Sequence, residues 1–189
     1  MEPENGAAVV LAAGTSERFG ADKRVANVDG LPMLVRSIQP YLAERLPVYV
    51  TLRPADPVRS ALPHEVHVIE APDAQFGMGH SLAAAAEKLS NVSWLLIGLA
   101  DMPWISQETI AQIVEGVSTC DDAIVRPSYR GQSGHPVGFT SSFLDELKRL
   151  TGDIGAKDVI KRNHDKVVDL PVTDEAILRD VDTPRQLRA

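Results

Sequence analysis

Apolar residues along the chain occur in two alternating patterns: short continuous runs, and longer stretches with apolar residues at helical spacing. Short apolar runs bounded by Gly, Pro or polar residues are typical of buried strands. The sequence predicts such strands over 7–13, 48–52, 66–70, 94–101, 122–126 and 167–171. It predicts helices over 32–41, 79–89, from Ser106 onward, over 142–150 and over 154–162.

The order of these elements predicts the fold class. Strands alternate with helices through the first two thirds of the chain, and this order favours an α/β fold with a mostly parallel central sheet and helices on both faces. In the run WLLIGLAD, at 94–101, the residues that would face either side of a sheet are mostly apolar. This run is therefore expected to be a central strand. Segment 126–139 is expected to form a loop with a short strand, and the tail a short helix. No repeat or linker divides the sequence, which predicts a single domain over residues 1–189.

Composition and charge narrow the class of partner. The 189 residues carry a net charge of −7, which argues against nonspecific binding of nucleic acid or membrane surfaces. The first residues, MEPENG, lack the basic character of a secretory signal, and no apolar run approaches the ~20 residues of a membrane span. With the single Cys120, these features predict a cytoplasmic protein, in which an anionic ligand needs a locally positive pocket.

The stretch VVLAAGTSERFGADK, from Val9 to Lys23, is the first candidate for such a pocket. A strand runs into small residues with accessible amides, and two cations, Arg18 and Lys23, follow. The spacing of Gly14 and Gly20 matches neither the P-loop nor the dinucleotide-binding fingerprint. Free amides and two cations suit the charged oxygens of a triphosphate, whereas a plain connection between strand and helix is the structural alternative.

Carboxylates supply a candidate metal site. Asp101 follows the central strand in GLADMP, at the sheet edge where the cation loop is also expected, and is well placed to hold Mg²⁺. Taken alone, an Asp in this context also forms turns. Asp180 and Asp182, in RDVDTP, are a second acidic group, although Asp182 before Thr183 and Pro184 equally matches the start of a helix.

Two further stretches carry polar residues at expected loops. His135, between Gly134 and Pro136 in SGHPVGF, is a candidate general base, but a histidine in such a turn also serves as a structural residue or a ligand contact. Asp153, in TGDIGAKDVI, is either the cap of the following helix or, with nearby amides, a contact for a second substrate.

Together these stretches resemble a known family. LAAGTSERFGADK is similar to the LAAGxSxRxGxxK signature of the MobA-like nucleotidyltransferases, and GLADMP is similar to their metal-binding aspartate motif. YRGQSGHPVGF, TGDIGAKDVI and DVDTP further resemble the molybdenum cofactor cytidylyltransferase branch. The resemblance spans most of the chain and implies a three-layer Rossmann-like fold. It implies transfer of a nucleotidyl group from a nucleoside triphosphate to the terminal phosphate of molybdopterin, with release of pyrophosphate.

The resemblance also implies a role for each residue. Arg18, Lys23 and Asp101 would be catalytic, and Asp101 and Asp182 would bind Mg²⁺. The acceptor would contact Gly134, His135, Pro136 and Asp153, with His135 part of the pterin-side wall because in-line attack needs no general base. The nucleotide would contact Leu11, Ala12, Ala13, Gly14, Thr15, Ser16, Arg18, Lys23 and Ser81.

The choice of nucleotide depends on one side chain. LAAG resembles the cytidylyl enzymes, whereas guanylyl enzymes typically carry a second Gly at the position of Ala13, so CTP is the expected donor. Molybdopterin or the molybdenum cofactor is the expected acceptor, and a molybdenum hydroxylase or its chaperone the expected downstream partner. The alternatives are GTP or another phosphorylated acceptor within the same superfamily, and a noncatalytic cofactor-binding chaperone.

Overall fold

Ten strands and five α-helices form within residues 5–14, 19–153 and 155–188, the part of the chain that the computed structural model describes. The strands are β1 (Gly6–Leu11), β2 (Asn27–Val28), β3 (Leu31–Pro32), β4 (Val48–Leu52), β5 (His67–Glu70), β6 (Trp94–Leu99), β7 (Ile124–Tyr129), β8 (Gln132–Ser133), β9 (Val137–Thr140) and β10 (Val167–Pro171). The α-helices are α1 (Met33–Ala43), α2 (Met78–Lys88), α3 (Gln107–Ser118), α4 (Leu144–Lys148) and α5 (Lys157–Arg162).

The main sheet has the strand order β10-β7-β9-β6-β1-β4-β5, with β8 paired to β7. Strand β1 lies between β6 and β4 and is parallel to both, and β5 and β10 also pair in parallel with their neighbours. Strand β9 runs antiparallel to both β6 and β7. The carboxyl ends of β1, β4 and β6 therefore meet at one edge, which the start of β9 also reaches.

Two apolar cores cover the two faces of the sheet. Alternate residues of β1 point to opposite faces. Ala8 and Val10 join the core with Ile38 of α1 and Ile113 of α3. The intervening residues of β1 join the other core with Leu82 of α2 and with α4. This arrangement confirms the predicted α/β fold with a mostly parallel sheet between two helical layers.

The predicted elements are correct in order but differ at several boundaries. Strand β1 ends at Leu11, not at residue 13, and the two following residues become part of a cavity wall. The helix predicted over 142–150 is a 3-10 turn, Ser141–Phe143, followed by α4, which ends at Lys148. The helix predicted over 154–162 begins only at Lys157, because Gly155 has a φ of 60°, which a right-handed helix does not contain. Ser106 caps α3 as expected, and its Oγ accepts a hydrogen bond from the amide of Thr109.

The hairpin of β2 and β3 was not predicted. Its turn contains Asp29 and Gly30, both with positive φ, as in the two-residue turns that Asp-Gly favours. That dipeptide was a readable signal, but strands of two residues are too short to show a period. No helix in the described ranges combines the length and apolar character that crossing a bilayer requires.

Candidate active site

A cavity of about 330 Å³ opens at the carboxyl ends of β1 and β6. Parallel α/β sheets bind ligands at this edge because the loops that follow the strands converge there. The residues lining the cavity are Leu11, Ala12, Ala13, Gly14, Lys23, Arg24, Ala74, Gln75, Gly77, Met78, Ser81, Leu99, Ala100, Asp101 and Asp153.

The first wall is the backbone that continues from β1. The Ala12 amide donates to the backbone oxygen and to the buried Oγ1 of Thr51, at 3.2 and 3.3 Å. The Ala12 carbonyl accepts a hydrogen bond of 2.8 Å from Nη1 of Arg24. By contrast, the amides of Ala13 and Gly14 donate to no acceptor within the described ranges. These two donors at the cavity are available to a ligand with acceptor oxygens.

The opposite wall is formed by two backbone segments in direct contact. The amide of Gly79 donates to the carbonyl of Gly152 at 2.8 Å. Gly77 has a φ of 127°, and a Cβ there would lie 2.2 Å from the carbonyl carbon of Gly152. Only glycine fits this contact. Asp153 follows directly and lines the cavity, whereas α5 has Ala156 as its cap residue, so capping does not explain Asp153.

Asp101 and Lys23 meet at one end of the cavity. The Lys23 ammonium lies 2.7 Å from Oδ2 of Asp101, and their side chains are 17% and 22% exposed. Oδ1 of Asp101 is shielded from solvent and receives no hydrogen bond from the described residues. Burying a carboxylate oxygen without a hydrogen-bond donor costs free energy. Oδ1 of Asp101 can therefore serve as a ligand to a cation.

The C-terminal segment brings two more carboxylates to Asp101. The amide of Val181 donates to the Asp101 carbonyl at 2.8 Å, and the Val181 side chain is fully buried. The Val181 carbonyl and the Asp182 carboxylate accept from the Lys23 ammonium, at 2.9 and 3.5 Å. One carboxylate oxygen from each of Asp101, Asp180 and Asp182 lies within 4.8 Å of the others.

This group of oxygens fits a divalent cation. Hard ions such as Mg²⁺ and Mn²⁺ bind carboxylate oxygens, and three carboxylates close together repel one another unless a cation separates them. In the structure the Lys23 ammonium supplies part of that positive charge. Lysine and a metal ion would therefore interact with the same oxygens.

His135 lies beside these carboxylates. Burial lowers the pKa of its imidazole, although the negative charges of Asp101 and Asp180 act in the opposite direction. Its Nδ1 is shielded and has no hydrogen-bond partner among the described residues. The backbone amide donates to Ile177 at 3.0 Å, which holds the turn before β9 against the segment leading to Asp180. A neutral imidazole at this place is a hydrogen-bonding and packing group.

Arg24 forms a buried ionic cluster below the first wall. Only 4% of Arg24 is exposed, and its guanidinium bridges Asp22 and Asp56 with hydrogen bonds of 2.7–3.0 Å. The bond to Arg24 is the main cause that lowers the pKa of Asp22. Burial alone would raise the pKa of Asp56, but the Arg24 guanidinium and the amide of Val58 lower it overall.

These lowered pKa values predict a pH-dependent stability. Carboxylates with lowered folded pKa values stabilise the protein above their unfolded values, about 4, and lose that contribution as the pH falls through the folded values. Arg24→Met should cost about 3 kcal/mol at pH 7 because Asp56 stays buried without its main partner. In this variant the free energy of unfolding should also fall less between pH 5 and pH 3. Without Arg24, protonation of Asp56 removes an unfavourable buried charge. Urea unfolding of both proteins at each pH measures the difference, and equal slopes would contradict the assignment.

A comparison with protein families identifies the chain. A family model described as the MobA-like NTP transferase domain matches residues 8–167. The chain belongs to this family. The purine catabolism protein PucB of Bacillus subtilis strain 168 is 26% identical over 193 residues, covering 94% of this chain and 92% of that protein.

Solved structures agree with this membership. The crystal structure of Rv0371c from Mycobacterium tuberculosis H37Rv has a TM-score of 0.86 and 27% identity, covering 100% of this chain and 97% of its own. A complex of Rv0371c with manganese has a TM-score of 0.80 and 24% identity, covering 98% of this chain and 96% of its own. These similarities confirm the Rossmann-like nucleotidyltransferase fold expected for a MobA-like domain.

The residues predicted as nucleotide contacts of the MobA-like domain mostly fall in one place. Those that line the cavity are Leu11, Ala12, Ala13, Gly14, Lys23 and Ser81, together with Asp101 and Asp153. Thr15, Ser16 and Arg18 lie outside the described residues. Asp182 lies beside the cavity in the carboxylate group.

The residues predicted as acceptor contacts of the MobA-like domain separate into two places. Asp153 lines the cavity, whereas Gly134, His135 and Pro136 form the turn before β9 and are not part of that lining. Gly134 is held against the Ile177 carbonyl, which a Cβ would approach to 2.2 Å. The four residues predicted as acceptor contacts therefore do not lie together in the cavity.

Two groups were not assigned as site residues from the sequence. Asp180 belongs to the carboxylate group. Its position two residues before Asp182 in the sequence could have indicated this. Arg24 with its two carboxylate partners underlies the cavity wall. Its partner Asp56 is 32 residues away in a separate loop, and no local pattern indicates that pairing.

Proposed function

We propose that this protein transfers CMP from CTP to the terminal phosphate of molybdopterin and releases pyrophosphate. The observation that carries the proposal is the juxtaposition around one cavity of the Lys23 ammonium, the Asp101 carboxylate and the amides of Ala13 and Gly14, which donate to none of the described residues. In the reaction an acceptor phosphate oxygen forms a bond to the α-phosphorus. The bond from that phosphorus to the bridging oxygen breaks, and pyrophosphate leaves with the electron pair.

The chain's own residues would bind and orient the two substrates. The amides of Ala13 and Gly14 would donate to the nucleotide, and buried Ser81 lies at the same cavity as a polar contact. Lys23, with Arg18, would neutralise the β and γ phosphates and the leaving pyrophosphate. Catalysis of this kind depends on position and on charge stabilisation, so His135 need not move a proton.

Asp101, Asp180 and Asp182 would hold a divalent cation, for which Mg²⁺ is the proposed species. When bound, the cation supplies charge neutralisation at the phosphate oxygens. The shielded Oδ1 of Asp101 and the 4.8 Å grouping of carboxylate oxygens support this role. Rv0371c, whose crystal structure is 27% identical to this chain, has also been crystallised with manganese, which agrees with a divalent ion in this family.

Selection of cytosine is proposed to depend on Ala13. This residue is 2% exposed, and its methyl group occupies space at the cavity wall. We expect Ala13→Gly to raise the use of GTP relative to CTP by about tenfold, the effect typical of one methyl group in a binding pocket. The ratio of kcat/KM for the two nucleotides measures it. A variant with an unchanged ratio would show that Ala13 does not read the base.

The acceptor is proposed from the resemblance of the stretches that contain His135 and Asp153. PucB is named for purine catabolism, and that name specifies neither a nucleotide nor an acceptor. A molybdenum hydroxylase, or a chaperone that serves one, is the partner that the proposed product implies. Other phosphorylated acceptors remain the alternative, since the donor half of the cavity is compatible with any of them.

The deciding experiment incubates the protein with Mg²⁺, molybdopterin and either CTP or GTP. Pyrophosphate and a cytosine dinucleotide of molybdopterin are the expected products. Product from GTP alone would overturn the choice of base, and pyrophosphate release with a different phosphorylated compound would overturn the acceptor. Binding of molybdopterin without pyrophosphate from either nucleotide would indicate a noncatalytic carrier.

A further inference from the structure

Arg24 uses every hydrogen-bond donor that it has. An arginine guanidinium carries five N–H groups in a planar fork. Nε donates to Oδ1 of Asp22, Nη2 donates to Asp22 and Asp56, and Nη1 donates to Asp56 and to the carbonyl of Ala12. These five bonds measure 2.7–3.0 Å. No donor is left for a phosphate, although Arg24 lies at the cavity.

Two of the three partners of Arg24, Ala12 and Asp22, lie next to groups at the cavity. Ala12 directly precedes the free amides, and Asp22 directly precedes Lys23. Asp56 belongs to a different loop, where its Oδ1 also accepts from the amide of Val58 and caps a short 3-10 helix. The guanidinium thus joins Ala12 and Asp22 to a third segment.

The bonds to Arg24 fix the orientation of the groups proposed to bind nucleotide. Since a trans peptide directs its carbonyl and the next amide in opposite directions, holding the Ala12 carbonyl also fixes the Ala13 amide. The Ala12 amide is held from its other side by Thr51. Asp22 accepts from the Arg24 amide and begins the turn that carries Lys23 toward Asp101.

We propose that Arg24 is a positioning residue that fixes the Ala12 carbonyl, which precedes the Ala13 amide, and Asp22, which precedes Lys23, with Asp56 as its anchor. This role rests on the proposed function only in naming the ligand as a nucleotide. In this proposal Arg24 holds these groups in place before the nucleotide binds, and Lys23 contacts the nucleotide itself. Preorganised donors lose less entropy when the ligand binds, so the cluster should strengthen nucleotide binding more than it changes turnover.

The test variant is Arg24→Lys, which retains the positive charge beside buried Asp56 but cannot reach two carboxylates and a carbonyl with a planar fork. The matched control is Arg59→Lys, the same change at an arginine that is 61% exposed and paired with Glu70. A second variant, Asp22→Asn, weakens only the interaction between Arg24 and residue 22. It leaves the hydrogen bonds from Arg24 to Ala12 and Asp56 in place.

Amide hydrogen exchange of the protein without nucleotide provides the first measurement. In Arg24→Lys the amides of Ala12, Arg24 and Val25 should exchange roughly tenfold faster than in the control, with β6 unchanged. Asp22→Asn should accelerate the amides of Arg24 and Val25 but not that of Ala12. Unchanged rates at all three amides, or an equal acceleration in β6, would overturn the proposal because Arg24 would then have no local positioning role.

Nucleotide titration with Mg²⁺ and CTP provides the second measurement. KM or Kd for CTP should rise about tenfold in Arg24→Lys, whereas kcat should change by no more than about threefold. A fall in kcat with unchanged KM would contradict the positioning role. If the wild-type protein binds neither CTP nor GTP, the proposed function fails, and the exchange rates still decide whether Arg24 positions Ala12 and Asp22.

Discussion

Replacement of Asp101 with Asn should lower the rate of pyrophosphate release by about 10³-fold while the protein remains folded. The change removes one of the three negative charges of the carboxylate group and leaves the side-chain volume almost unchanged. Loss of one charge-stabilising group in an active site typically costs 10²- to 10³-fold, and here the cation is expected to be lost as well. Measurement of kcat at saturating CTP and Mg²⁺ tests this expectation.

The fold should tolerate the Asp101 variant because the Lys23 ammonium keeps the Val181 carbonyl and the Asp182 carboxylate as partners. Asp121→Asn is the matched control, since Asp121 is exposed and does not line the cavity. Circular dichroism and the melting temperature establish that both variants are folded. An Asp101→Asn variant that releases pyrophosphate at the wild-type rate would show that the reaction does not use this carboxylate.

Replacement of Lys23 with Met should change metal binding and turnover in opposite directions. The ammonium lies 2.7 Å from the oxygen of Asp101 and 3.5 Å from that of Asp182, where it competes with a divalent ion. Without it, the carboxylates should bind Mn²⁺ about tenfold more tightly in the absence of nucleotide. Turnover should fall about 10²-fold because the cation at the triphosphate is lost. Calorimetric titration with Mn²⁺ and an assay of pyrophosphate release give the two values.

Lys88→Met is a suitable control for the Lys23 variant, because Lys88 lies exposed at the end of α2 and away from the carboxylate group. It should change neither the affinity for Mn²⁺ nor the rate. Weaker Mn²⁺ binding in Lys23→Met would mean that the lysine organises the carboxylates instead of competing for them. Such a result would reassign Lys23 without affecting the role of Asp101.

The central part of the fold was predictable because strands buried on both faces consist of consecutive apolar residues. Strands β1 and β6 are apolar at successive positions, and this pattern occurs where helices cover both faces. Once those strands are parallel neighbours, their carboxyl ends must meet at one edge. The proximity of Lys23 and Asp101, 78 residues apart in sequence, follows from this argument.

Other parts of the site depend on contacts that leave no local pattern. Arg24 is charged and sits in a predicted loop, where a solvent-exposed side chain would be the ordinary expectation, yet it is almost fully buried between two carboxylates. Its burial depends on Asp56, and only the pairing of β1 with β4 brings that loop close. Asp153 matched a helix cap in sequence, but a glycine on either side of it in the chain prevents the helix from starting there.

Strand β9 has a further consequence for how such a protein diverges. Because β9 runs against β6, with Val137 opposite Ile97, the turn that precedes it reaches the edge where the cavity lies. That turn follows the short pair of β7 and β8, whose connection at Arg130 and Gly131 is exposed, so residues can be inserted there while the pairing of β6, β9 and β7 stays intact. Insertions in this one hairpin can therefore alter this rim of the cavity without rebuilding the strand that leads to Ala13 and Gly14.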